Sequence, residues 1–225
     1  MKEHTKELAR KIISEDGGFW KTLKYIHHTP TAYARRIYRR VTRNSIFFKE
    51  EELGMCSLQH PKKLAKTLHL FEPRSVLDIG CGTGVSLDYF LQNGVDALGI
   101  EGSSLARDRA QHPERIELHN LNEELHLNRR FDLIWCLEVA EHIHPKFVNN
   151  FIKTFANHSN RVVLSAAQPG QGGEGHFNEQ PAEYWIELFG TYGFTYDDTS
   201  TKELQSIDEM FCENMLVFYR QELNA

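Results

Sequence analysis

Residues 76–84 read Val76-Leu77-Asp78-Ile79-Gly80-Cys81-Gly82-Thr83-Gly84, and the fold follows from this stretch. Val76, Leu77 and Ile79 form the short β-branched and leucine run of a buried parallel strand. The run ends in glycines at alternate positions, Gly80, Gly82 and Gly84, just before an amphipathic stretch from Val85 to Leu91. Glycine there permits a sharp turn and lets a ligand approach where a Cβ would collide. In open α/β sheets a nucleotide-like cofactor sits at the carboxyl end of such a first strand. The dinucleotide fingerprint G-x-G-x-x-G does not fit, because its third glycine would fall at Val85.

The G-x-G-x-G text, with Asp78 inside the strand, resembles motif I of the class I S-adenosylmethionine (SAM) dependent methyltransferases. The likeness continues in order through the fourth predicted strand. It implies a Rossmann-like α/β fold, with a seven-stranded, mostly parallel sheet, helices on both faces and an antiparallel last strand. It also implies SAM as cofactor, with Asp78, Gly80, Cys81, Gly82 and Gly84 around its methionine end and ribose. Glu101, at the end of the second strand, takes the place of the acid that accepts both ribose hydroxyls, as a carboxylate can. After the third strand the family carries an acidic residue near the adenine amino group. Here the text is His119-Asn120-Leu121-Asn122-Glu123, which makes Asn122 the candidate. Leu137 falls where relatives set an apolar residue or a carbonyl against the methionine portion.

The 225 residues are enough for one α/β domain plus added helices, and 40% hydrophobic with 25% charged residues is ordinary for a globular protein. No apolar stretch reaches membrane-spanning length, and the charged start, Met1 to Arg10, is unlike an apolar signal region. Cys56, Cys81, Cys136 and Cys212 are scattered with no C-x-x-C, which points to reduced thiols in a cytoplasm-like compartment. Residues 1–75 carry 16 Lys/Arg against 8 Asp/Glu, and the remainder 10 against 23. The basic excess peaks at Arg35, Arg36, Arg39, Arg40 and Arg43, flanking the apolar stripe Tyr33, Ile37 and Val41 of a helix. Such a face is a solvated helix surface or one that steers an anionic substrate.

The expected organisation is an N-terminal helical extension or lid over 1–72 and a SAM-binding domain over 73–225. A helix is predicted near Lys62–Leu70, with Pro73 stopping the chain before the first strand. Strands follow at Ala97–Ile100, Ile116–Leu118, Phe131–Leu137, Arg161–Ala166, Phe194–Tyr196 and Met215–Tyr219. Helices are predicted from Ser103 to Gln111, from about Pro145, and from Pro181 through Trp185, Leu188 and Phe189.

Beyond the fourth strand comes Cys136-Leu137-Glu138-Val139-Ala140-Glu141-His142-Ile143. Glu138, Glu141 and His142 stand at i, i+3 and i+4, so one helical turn would point all three toward the carboxyl edge of the sheet. E-x-x-E-H, joined by a later histidine, resembles the divalent-metal motif of small-RNA 3′-terminal 2′-O-methyltransferases and ubiquinone-pathway O-methyltransferases. The later histidine would be His176. By that resemblance Glu138, Glu141, His142 and His176 hold Mg²⁺ or another divalent ion that lowers the pKa of an acceptor hydroxyl. Alternatively the motif is metal-free, and His142 or His176 acts as general base. The polar, glycine-rich Gln168–Gly173 segment reads as a flexible acceptor-side loop. Beyond it His176, Asn178, Glu179 and Gln180 offer polar groups to a hydroxylated acceptor, with Glu141 and Glu179 as catalytic carboxylates. Tyr184 and Trp185 suit either stacking on a sugar or base, or packing of their own helix.

As a whole the segment resembles bacterial and viral SAM-superfamily methyltransferases, some found with glycan-building genes. The leading expectation is O-methylation of a hydroxylated small molecule or glycan, since hydroxyl acceptors need base or metal help. An RNA 3′ end is the alternative acceptor, although no RNA-binding module is recognisable. A non-catalytic scaffold of the same fold is the third reading, opposed by the intact glycines and Glu101.

Overall fold

The computed structural model describes residues 60–173 and 175–221, and elements are numbered from its first described helix. The expected basic helix over 35–43, Cys56 and residues 1–59 of the expected extension lie outside the described residues. What is described belongs to one unit of the chain, 47–225.

Helix α1, Pro61–Phe71, opens with proline at a position that needs no N–H and closes on Glu72 in the left-handed conformation. It leads into β1, Ser75–Ile79. Then follow α2 (Val85–Gln92), β2 (Asp96–Glu101), α3 (Ser104–Asp108) and β3 (Ile116–Leu118). The second half holds β4 (Leu133–Leu137), α4 (Val148–His158), β5 (Arg161–Ser165), α5 (Ala182–Gly190), β6 (Thr195–Tyr196), α6 (Asp198–Gln205) and β7 (Met215–Tyr219).

The seven strands lie in the order β3-β2-β1-β4-β5-β7-β6. Pairings from β3 through β5 are parallel, and β7 runs antiparallel between β5 and β6. The family resemblance anticipated this sheet. Its order reverses direction between β1 and β4, the switch point above which a cleft opens. Because β7 is antiparallel, its first residue Met215 pairs with Ser165 at the end of β5. The residues leading into β7 therefore arrive at the same carboxyl edge as the glycine loop.

Alternation along the strands builds two cores. In β4, Ile134 and Cys136 face Phe151, Phe155, Trp185 and Phe189, while Leu133 and Trp135 face Leu64, Leu87, Phe90 and Leu204. Each side thus receives its own helix layer, and Trp135 meets Phe90 edge-on at 5.9 Å. The packing reading of Trp185 and Phe189 holds: both are fully buried.

Several expectations are corrected. Ser103 caps α3 by accepting from the Ala106 N–H at 3.2 Å, but the helix ends at Asp108 and not Gln111. Its last amides turn back by tighter three-residue bonds, and His112 precedes Pro113, which disfavours helical backbone. β4 starts at Leu133, and Phe131 makes only an isolated bridge to Ser159. The helix expected from Pro145 begins as a 3-10 turn over Pro145–Phe147. Helix α6 was not anticipated, since only Thr201 and Leu204 are buried along a polar stretch capped by Asp197. Among the described residues no helix is long and apolar enough to cross a membrane. Cys81, Cys136 and Cys212 are buried free thiols.

Candidate active site

The cofactor side is built from the first turn after β1. Gly80, Gly82 and Gly84 all have positive φ, at 72°, 56° and 80°. The amides of Gly80 and Cys81 both donate to the Ile100 carbonyl, at 2.8 and 3.1 Å, tying the loop to β2. A Cβ at Gly80 would stand 2.3 Å from Val139 Cγ2, so this glycine lets the chain beyond β4 cross the loop. Cys81 is spent on the loop itself: a Cβ on Gly99 would meet its Sγ at 2.6 Å, and its carbonyl accepts from Gly84 at 2.9 Å.

Glu101 ends β2 where expected and is buried. Its oxygens accept from the Gly82 amide at 2.9 Å and the Ser103 amide at 2.8 Å, and each keeps capacity for a further donor. Asp78 is buried beneath the loop with Oδ2 unpartnered among the described residues. Burial, and then the neighbouring Glu101 charge, pushes its carboxyl up to about 8. A ligand carrying hydroxyls and an ammonium supplies what these two acids lack.

Asn122 donates through Nδ2 to Asn120 Oδ1 at 3.1 Å, and its carbonyl accepts from Asn150. Its own Oδ1 is buried without a partner among the described residues, an acceptor suited to an exocyclic amine. Leu137 ends β4 half-buried against the α1/α2 core.

The acceptor side departs from the single helical turn read in E-x-x-E-H. Glu138 has φ of 52°, a strained value for a residue with a Cβ, and the 3-10 turn begins only at Ala140. The Glu138 amide donates to the Ser165 carbonyl at 3.1 Å and to its hydroxyl at 3.0 Å. Its carboxylate accepts from Asn214 Nδ2 at 3.1 Å and Gln171 Nε2 at 3.3 Å. The Glu138 carboxylate is thus engaged by Asn214 and Gln171, and the close cluster of metal-ligating atoms among the described residues comprises three of the four expected side chains. Ligand atoms of Glu141, His142 and His176 lie within 4.8 Å of one another.

Glu141 is fully buried, and neither carboxylate oxygen has a hydrogen-bond partner among the described residues. Burial, then repulsion from Glu138, pushes its carboxyl up to about 8. Its main-chain carbonyl accepts from Phe177 and Asn178, both at 2.9 Å, which seats the loop carrying His176. Burial, followed by the adjacent His176, pulls His142 down to about 4. The two imidazoles meet edge-to-face with centroids 4.8 Å apart. Two imidazoles and a carboxylate with unpaired buried atoms form a donor set that fits a divalent cation.

Glu179 is engaged by its own loop. It accepts from the Gly170 amide at 2.9 Å, the Gly172 amide at 2.7 Å and His176 Nδ1 at 2.9 Å. The glycine-rich loop read as flexible is thus tied down by one carboxylate. A Cβ on Gly173 would meet His176 Nε2 at 2.3 Å, so the ring rests on bare backbone. Asn214 was not singled out from sequence, having no motif around it. Its only sequence signal is a polar residue directly before an apolar strand.

A methyltransferase-domain family model matches residues 25–199. The chain belongs to the methyltransferase domain family. SAM is the cofactor of that family. The ubiquinone biosynthesis O-methyltransferase of Rhodopseudomonas palustris strain TIE-1 is 34% identical over 85 residues, 35% of this chain and 34% of that protein. The "Probable tocopherol O-methyltransferase, chloroplastic" of Oryza sativa subsp. japonica is 24% identical over 196 residues, 79% of this chain and 49% of that protein. The matches thus span half or less of these relatives' length. Among solved structures, the Burkholderia thailandensis 1,6-didemethyltoxoflavin-N1-methyltransferase with bound S-adenosylhomocysteine superposes with a TM-score of 0.58. It is 17% identical and covers 86% of this chain and 91% of that one, a likeness of fold.

Proposed function

We propose that this methyltransferase-family chain transfers the SAM methyl group to a hydroxyl of a small molecule or glycan. The observation that carries the reading is the Glu179–His176 pair at 2.9 Å, set beside Glu141 and His142 at the carboxyl edge. Glu179 accepts the Nδ1 proton, which leaves the Nε2 lone pair of His176 turned toward Glu141, 4.0 Å from Oε1. In transfer the acceptor oxygen attacks the sulfonium methyl, the carbon–sulfur bond breaks, and the hydroxyl proton passes to His176 Nε2. The protein supplies alignment and a fixed tautomer. His142, held near 4, stays neutral at physiological pH and adds no positive charge beside the base.

A metal-assisted version is favoured by the two unpartnered oxygens of buried Glu141. Glu141, His142 and His176 would hold the divalent ion, which supplies Lewis-acid activation of the hydroxyl when bound. Glu138 stays outside this set and lines the acceptor side with Gln171 and Asn214.

A SAM-turnover screen over glycans, phenols and short RNAs tests the acceptor class. Turnover confined to hydroxylated small molecules or glycans is expected, and turnover confined to RNA 3′ ends would refute it. His176→Gln should lower kcat by about 100-fold or more, as loss of a general base does. Repeating the assay after exhaustive chelation separates the two versions, full retained activity ending the metal-assisted one.

A further inference from the structure

Asn214 is a buried amide directly before β7, and its hydrogen bonding is half complete. It is 1% exposed, and its Oδ1 is buried with no hydrogen-bond partner among the described residues. Its Nδ2 donates to Glu138 Oε1 at 3.1 Å and to Gln171 Oε1 at 3.0 Å. Exchanging the amide oxygen and nitrogen would set oxygen against both acceptors, so the orientation is fixed. A buried acceptor held this way calls for one further donor.

Three distant segments meet at this amide. Glu138 lies just beyond β4, Gln171 in the loop after β5, and Asn214 at the entry to β7, all at the carboxyl edge. Gln171 Nε2 closes the triangle by donating to Glu138 Oε2 at 3.3 Å. Gln171 is exposed and Glu138 half-buried, so the group is open on one side. Glu141 feels the Glu138 charge, which sets the group beside the Glu141–His176 site.

The free valences of the group are acceptors. Asn214 Oδ1 takes a donor, and a carboxylate offers about four lone-pair sites, more than the amides fill at Glu138. A phosphate or carboxylate on the acceptor would set oxygen against oxygen here, whereas a hydroxyl can donate. We propose that Asn214 and Glu138 form a subsite for a second hydroxyl of the methyl acceptor, one that is bound and not methylated. That hydroxyl donates to Asn214 Oδ1 or to the neighbouring Glu138 oxygen, with Gln171 at its exposed flank. The subsite rests on the O-methyl-transfer reading and narrows the acceptor to an uncharged polyol, such as a glycan.

The test is SAM turnover of methyl glycosides, each compared with its monodeoxy analogues, by the wild-type chain, Glu138→Ala and Asn214→Ala. In the wild type, removing one hydroxyl that is not methylated should lower kcat/KM at least about ten-fold, mainly through KM. In either variant that preference should shrink to within about three-fold, with S-adenosylhomocysteine affinity by calorimetry within about two-fold of wild type. The comparison is internal to each protein, so a variant that is merely less stable loses parent and deoxy substrates alike. Such equal loss overturns the subsite. A fall in S-adenosylhomocysteine affinity also overturns it, since Glu138 would then serve the cofactor. If Glu138→Ala does not fold, as judged by circular dichroism, Asn214→Ala carries the comparison. Wild-type turnover of phenols but of no glycoside ends the subsite and leaves O-methyl transfer standing. Turnover of short RNAs alone, or of none of these, ends both.

Discussion

Glu179 grips the Nδ1 edge of His176 at 2.9 Å while anchoring the Gly170 and Gly172 amides of the preceding loop. One carboxylate therefore sets both the tautomer of the candidate base and the wall beside it. This is a positioning role, reached through another side chain.

Glu179→Gln keeps the shape and loses the charge. We expect kcat to fall by about 10- to 100-fold, with S-adenosylhomocysteine affinity unchanged. Wild-type turnover would remove Glu179 from the mechanism.

Gly80→Ala meets two obstacles, a φ of 72° and Val139 Cγ2 2.3 Å from the new Cβ. The expected result is a stability loss of more than about 1 kcal/mol and a collapse of cofactor affinity. Thermal melts and calorimetry check both. The double variant Gly80→Ala/Val139→Ala should recover part of the loss, since it removes the clash and not the strain.

A metal-binding test follows from the unpaired oxygens of Glu141. Saturating Mn²⁺ should raise the wild-type Tm by about 3 °C or more, and Glu141→Gln should abolish the rise. Asn214→Ala, which frees Glu138, should leave the rise intact because Glu138 is outside the three-residue cluster. No Tm response to Mn²⁺, Co²⁺ or Mg²⁺ would dispose of the metal-assisted reading.

His158 is a buried latch far from this chemistry. Its Nδ1 donates to the Thr154 carbonyl at 2.6 Å, and its Nε2 accepts from the Leu127 amide at 2.9 Å. Burial lowers its pKa, so the folded state prefers the neutral ring. That preference contributes stability in full above the ordinary value of 6.5, and it is lost as pH falls from there through the folded pKa. In urea melts the stability gap between wild type and His158→Gln should shrink between pH 7.5 and pH 5, conditions spanning about 6.5. A gap that stays constant would show that the ring does not titrate in this range.

The residues that announce themselves along the chain are those whose chemistry is local. Gly80, Gly82 and Gly84 all adopt the positive φ that their spacing implied, and Ser103 caps the helix it precedes. Strand positions followed from short apolar runs, with β3 and β7 falling at their expected bounds. The short polar α6 escaped notice because only two of its residues are buried, so its stability comes from docking and not from periodicity.

Side-chain destinations were a different matter. Spacing placed Glu138, Glu141 and His142 on one face, but a positive φ at Glu138 sends its carboxylate to Asn214, 76 residues further on. Likewise Glu179, read as a catalytic carboxylate, accepts from His176 Nδ1 and from two loop amides. Strand, turn and glycine-loop identity depend on backbone preferences of neighbouring residues, which can be read along the chain. Which acid pairs with which donor depends on contacts between distant segments at the carboxyl edge, where burial and the shortage of partners choose the geometry.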